Sequence, residues 1–115
     1  MNAGTDVQAA VAEVKKHTET LDYLYINAGA VVGGGPVSEL SAADLTENFT
    51  TNVVGPHNVM KAFSPLVVAS KASKRVIAVT SSLVGSITAL PNWAAFIRDA
   101  YSVDHIPMTG YAVSK

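Results

Sequence analysis

Arg75-Val76-Ile77-Ala78-Val79-Thr80-Ser81-Ser82 is the stretch that decides the fold. Four apolar residues run together, three of them β-branched, with no polar alternation. A strand with one face in water would alternate, so this run predicts a strand of a parallel sheet, buried on both faces by helices. Two serines follow at the strand's carboxyl end, where sites in parallel sheets form.

Upstream, Leu21-Asp22-Tyr23-Leu24-Tyr25-Ile26 reads as another strand, closed by Asn27-Ala28-Gly29, with a glycine-rich loop running on to Ser38. Between the strands lies a helix start. Leu40, Ser41, Asp44 and Leu45 supply N′, N-cap, N3 and N4, a hydrophobic staple superimposed on a capping box. Leu45, Phe49, Val53, Met60 and Phe63 continue the apolar pattern. Pro56 removes an amide donor and crowds the preceding turn, which predicts a kink near Asn52–Pro56. Ahead of the first strand, Val7, Ala10, Val11 and Val14 stand at helical spacing, and Thr5 with Gln8 forms a capping box, predicting a helix over 5–19. Beyond Ser82, residues 83–107 are a long excursion containing Pro91, Trp93 and Pro107, with a short helix around 93–101. A last helix opens near Met108–Thr109.

Helix, strand, helix, strand, long loop, helix: this order argues an α/β fold with right-handed crossovers. Two strands are too few for a doubly wound parallel sheet. The chain opens on a helix with no preceding strand and stops about one turn into its last helix. The expectation is a single incomplete domain over 1–115, truncated at both ends.

Composition narrows the class. Of 115 residues, 49% are hydrophobic and 15% charged, which suits a buried α/β layer. A net charge of -1 and no block of Lys or Arg leave no electrostatic case for nucleic acid or an anionic membrane. The absence of cysteine excludes disulfides, thiol nucleophiles and Cys-based zinc sites, and fits a reducing compartment. Met1-Asn2-Ala3-Gly4-Thr5-Asp6 has neither a basic n-region nor an apolar h-region, and no apolar run approaches the ~20 residues that span a bilayer. A cytoplasmic protein is expected. His17, His57 and His105 are scattered singly, so no metal site is expected.

Tyr111 and Lys115 stand four apart, on one face of a helix. A free phenol holds its proton to about pH 10, and a cation beside a phenol favours the ionised form. Such a pair can act as a general acid/base, or be an ordinary solvated helix face. Ser82, with Ser81 equally eligible, can hold a substrate carbonyl or merely cap a loop. Gly29 permits a close approach of backbone to a ligand, or a turn. Asn52, a poor residue for a helix interior, is either an exposed polar group near the kink or there for a purpose.

In combination, Asn27-Ala28-Gly29, Asn52-Val53-Val54-Gly55, Ser81-Ser82 and Tyr111-Ala112-Val113-Ser114-Lys115 resemble, in order and element context, the short-chain dehydrogenase/reductase family. The likeness spans nearly the whole chain, as the middle portion of such a protein. It implies a partial Rossmann-like sheet and an NAD(P)-dependent oxidoreductase that interconverts an alcohol and a carbonyl. Tyr111 would be the acid/base, Lys115 would favour the phenolate and bind the nicotinamide ribose, and Ser82 would orient the substrate carbonyl. Asn52 would hold a water linking Lys115 to solvent. Asn27, Ala28 and Gly29 would stabilise the sheet and lie beside the cofactor. The partner implied is a small-molecule alcohol or carbonyl, with homo-oligomers common in the family.

Two departures stand out. The family's Thr-Gly-x-x-x-Gly-x-Gly phosphate loop is absent, and the nearest match, Gly33-x-Gly35-x-x-Ser38, has the wrong third residue and follows the wrong strand. The interval from Ser82 to Tyr111 is also longer than is usual, the excess falling within residues 88–109. Trp93, Phe96 and Tyr101 become candidate substrate contacts there. Tyr101 itself is a decoy, because four residues on stands His105 rather than lysine. The alternative to an enzyme is a catalytically inactive piece that binds no dinucleotide.

Overall fold

The two apolar segments pair as parallel strands, β1 (Tyr23–Ile26) and β2 (Val76–Val79), with Tyr23 opposite Val76 and Ile26 opposite Val79. The computed structural model describes residues 3–102 and 108–115. They form two compact units. One takes in Met1–Ala28 and Val54–Thr80, the other Gly29–Val53 and Ser81–Lys115.

In the first unit, α1 (Ala3–Lys15) packs on α3 (Gly55–Ala69), and α3 packs on both strands. The core is Val11 of α1 with Phe63 and Leu66 of α3, joined by Val7, Val14, Leu21 and Leu24. Because strand side chains alternate, Leu24 and Ile26 turn to the covered face while Tyr23 and Tyr25, 62% and 67% exposed, turn to the other. The expectation that the second strand is buried on both faces is therefore corrected. Parallel pairing is present, but β2 is only partly buried and Val79 is 45% exposed, since α3 alone covers the described sheet. Main-chain bonds lengthen the ladder beyond the strands, from Val76 to the Asp22 carbonyl and from Thr80 to that of Ile26.

The first helix begins and ends earlier than the expected 5–19. Ala3 already lies inside it, so Thr5 is not its N-cap. After Lys15 the Thr18 hydroxyl donates to the Thr20 carbonyl and accepts from the Thr20 amide, a local pairing that competes with further helix. α3 continues through Pro65, which cannot donate to the Lys61 carbonyl; the Ser64 hydroxyl lies 3.4 Å from that oxygen. Arg75 donates to the carbonyls of Val68 and Ser70, closing the helix end with a cation.

In the second unit, α2 (Ala42–Phe49) starts where the capping residues place it. Ser41 is the N-cap, and its hydroxyl accepts from the Asp44 amide at 3.0 Å. The Asp44 carboxylate takes a hydrogen bond from the Ser41 hydroxyl at 2.7 Å, where a longer Glu would reach the backbone amide. Thr50–Val54 then forms a π-helical segment, and α3 follows from Gly55. The interruption expected at Pro56 thus takes the form of a widened helical turn. In an α-helix the Asn52 carbonyl would bond the amide of residue 56, which proline lacks.

After β2 come a 3-10 turn (Leu83–Gly85), α4 (Leu90–Tyr101) and α5 (Thr109–Ser114). The helix expected around 93–101 starts three residues earlier and ends at Tyr101, with Ser102 in the left-handed region at φ 53°. The turn packs against both α4 and α5, and α2 packs on α5. His105 and Pro107 lie outside the described residues. Among the described residues, no helix is long and apolar enough to cross a membrane, and no group of His, Asp and Glu could hold a metal ion.

Candidate active site

The site is assembled around two asparagines one helical turn apart. Asn48 is completely buried and Asn52 is 6% exposed. The Asn52 side chain accepts from the Ala30 amide at 2.9 Å and donates to the Ala30 carbonyl at 2.8 Å. Asn48 does the same with Val32, accepting at 3.2 Å and donating at 2.6 Å, and also donates to the Asp44 carbonyl at 2.8 Å. Each amide thereby satisfies both backbone groups of one residue, as a neighbouring strand would. The spacing allows it. Four helical residues rise about 6 Å and two extended residues about 6.6 Å, so rungs at 48 and 52 meet alternate residues of the segment leaving Gly29.

The same asparagines seat α5. Asn52 donates to the Ser114 hydroxyl at 2.9 Å, and that hydroxyl donates to the Tyr111 carbonyl at 2.8 Å. One turn earlier, a Cβ at Gly110 would lie 3.0 Å from the Asn48 amide nitrogen, so a side chain there would force the two helices to give by a few tenths of an ångström. Ser81 donates to the Lys115 carbonyl at 2.9 Å. Gly85 abuts the Lys115 backbone so tightly that a Cβ there would sit 2.5 Å from its carbonyl carbon.

Tyr111 and Lys115 project from α5 together, with the Lys115 Nζ 5.7 Å from the centre of the Tyr111 ring. Both are half-buried. A Cβ at Gly29 would lie 3.2 Å from that Nζ and 3.2 Å from Asn52 Oδ1, so the ammonium and the amide oxygen both come against the Gly29 backbone. Gly29, Asn52, Tyr111 and Lys115 are thus gathered in one place. Ser82 is half-buried at the N-cap of the Leu83–Gly85 turn and makes no side-chain cap bond, while Ser81 is committed to Lys115. That commitment separates two serines that were equally eligible by sequence.

Asn27 and Ala28 belong to the first unit. The Asn27 side-chain oxygen lies 2.9 Å from the Thr80 hydroxyl and 3.4 Å from that of Tyr25, tying the ends of β1 and β2. In the loop after Gly29, Gly33 and Gly35 have φ of 70° and 89°. The Asp44 carboxylate crowds Gly33, and that of Glu39 approaches Gly35. Two carboxylates beside the loop repel a phosphate. On α4, Phe96 and Tyr101 are 62% and 68% exposed and Trp93 is half-buried.

Asn48, Gly110 and the hydroxyl of Ser114 are structural members of the site that carried no role on sequence grounds. The available signal was a second asparagine, unfavourable within a helix, one turn before Asn52.

The short chain dehydrogenase family profile matches residues 1–96. The chain belongs to this family. Short-chain dehydrogenases are oxidoreductases, and the match stops before Tyr111. Among curated proteins, the chain is 32% identical over 100 residues to the short-chain dehydrogenase srdF of Neurospora crassa, covering 86% of this chain and 39% of that one. It is 36% identical over 99 residues to the short-chain dehydrogenase RED3 of Pyricularia oryzae, covering 84% and 39%. The chain therefore spans about two fifths of the length of these relatives. Among solved structures, the NADPH-bound carbonyl reductase from chicken fatty liver superposes with a TM-score of 0.78 at 27% identity, over 97% of this chain and 43% of that one. The α/β architecture with parallel strands matches the corresponding part of the short-chain dehydrogenase fold.

Proposed function

We propose that these residues carry the proton-handling half of an NAD(P)-dependent oxidoreductase that interconverts an alcohol and a carbonyl. The observation that supports this reading is the Lys115 ammonium, 5.7 Å from the Tyr111 ring and against the Gly29 backbone. Tyr111 acts as general acid toward a carbonyl oxygen and as general base toward an alcohol. Lys115 places positive charge where negative charge develops as the phenol gives up its proton. Ser82, not tied to the turn it caps, donates to the substrate oxygen.

Asn52 is narrowed by its own bonds. Both side-chain N–H groups are engaged, so a water held at Asn52 donates to it and accepts from Lys115. That direction runs outward from Lys115, and so suits release of a proton taken from an alcohol rather than its return to Tyr111.

The nicotinamide dinucleotide supplies the hydride. Lys115 and the glycine backbone at 29 fit its ribose end, where a side chain would crowd Nζ. Nothing in the 33–38 loop fits the pyrophosphate, because Asp44 and Glu39 face it. We assign the 115 residues to part of one NAD(P)-binding domain on this basis. Absence of a phosphate loop from these residues favours a second reading for the isolated chain, that it neither binds dinucleotide nor turns over substrate.

The test is Tyr111→Phe in the native full-length protein. Turnover of NADPH with a carbonyl substrate is expected to fall by about two to four orders of magnitude. Activity within tenfold of the parent would sink the assignment of Tyr111.

A further inference from the structure

We infer that Asn48 is a positioning residue for the Tyr111 and Lys115 pair, an inference that rests on the reading of Tyr111 as the acid/base. α5 is only six residues long and has no side-chain N-cap. So short a helix cannot hold itself, and its place is set by what it packs against. Gly110 and Ser114 are four apart and share a face. Asn48 and Asn52 are four apart and share another. The structure joins them in order, Gly110 on the Asn48 amide and Ser114 on the Asn52 amide. Tyr111 and Lys115 each follow a seated residue by one position, about 100° around the helix. The seating face thus fixes the direction of the proton-handling face beside it.

Asn48 is the deeper of the two supports. It is fully buried, and its side chain holds three hydrogen bonds, two to Val32 and one to Asp44. A carboxamide that only filled space would not match a donor and an acceptor to the two backbone groups of one residue. The rung at Val32 repeats the rung at Ala30 and keeps the segment from Gly29 in register, and Gly29 is where the Lys115 ammonium lies. Asn48 therefore acts on the pair from both sides, through Gly110 beneath Tyr111 and through the 30–32 segment beside Lys115. A methyl at residue 110 would meet the Asn48 nitrogen at 3.0 Å, and Leu40 methyls at 3.3 and 3.4 Å. Relief of that contact displaces α5 by a few tenths of an ångström. Since about 1 Å of misplacement can cost 10²-fold, a loss of roughly tenfold is the scale to expect.

The experiment compares Asn48→Ala, Gly110→Ala, the double variant and Tyr111→Phe in the native full-length protein. It measures kcat and KM for carbonyl reduction and hydrogen exchange at the Val32 amide. Asn48→Ala is expected to speed Val32 exchange at least tenfold and to lower kcat about tenfold with KM within twofold. Gly110→Ala is expected to lower kcat similarly while Val32 exchange stays as in the parent. The double variant should be no slower than Asn48→Ala, because the added methyl enters the space the amide has left. Parental kcat in both single variants, or losses that simply multiply in the double variant, overturns the positioning role while Tyr111→Phe remains inactive. If Asn48→Ala fails to fold, Gly110→Ala alone decides by its kcat. Retained activity in Tyr111→Phe instead removes the acid/base reading, and the role of Asn48 toward it.

Discussion

Asn52 and Ser114 stand 62 positions apart in the chain and share a buried hydrogen bond of 2.9 Å. Through it the π-helical segment holds the end of α5, and with it the residue before Lys115.

Replacing Ser114 by Ala tests that link. The variant leaves one Asn52 N–H without its acceptor in a site where Ser114 is 7% exposed. An unsatisfied buried donor costs about 1–3 kcal/mol. Denaturant unfolding should show a lower midpoint with an unchanged m-value. A stability equal to the parent's would mean that the two residues are neighbours without energetic coupling.

Pro56→Ala restores the amide that an α-helix needs opposite the Asn52 carbonyl. The π turn then loses its cause, and an α-helical path rotates Asn52 away from Ala30. Exchange at the Ala30 amide, which donates to Asn52 at 2.9 Å, is expected to quicken at least tenfold. Unaltered protection at Ala30 would show that packing, not proline, sets the widened turn.

Ser41→Ala removes the hydroxyl that accepts from Asp44 and donates to its carboxylate. Loss of an N-cap costs about 1 kcal/mol. Ser41→Thr should recover most of that, since its hydroxyl also accepts from the Asp44 amide and donates to the Asp44 carboxylate. Failure of Thr to recover stability in thermal melts would indicate that the cap is not what Ser41 contributes.

Tyr101→Phe provides the contrast to Tyr111. Tyr101 is 68% exposed at the end of α4, away from the Tyr111 and Lys115 pair on its own helix. Its kcat is expected to stay within about twofold of the parent, as befits a surface hydroxyl. A loss comparable with that of Tyr111→Phe would move the acid/base to the wrong helix.

Local signals carried much of the fold. Capping by Ser41 and the two apolar strand runs depend on residues close together in sequence, and the structure has them where they were expected. The start of α1 and the exposure of β2 were misread. Thr5 looks like a cap only because its neighbours supply the pattern, and an apolar run specifies a preference for burial without specifying what covers it.

By itself the sequence determined the α/β class, through the order of its elements, and the helical interruption at Pro56 and the adjacency of Tyr111 and Lys115, through spacing within one element. Only the tertiary structure decided that Asn48 is fully buried, that Ser81 rather than Ser82 binds the Lys115 carbonyl, and that a side chain at Gly110 would crowd the Asn48 amide. Those facts depend on which backbone groups meet across dozens of intervening residues. Hydrogen-bond partners chosen at that range leave no periodicity to read.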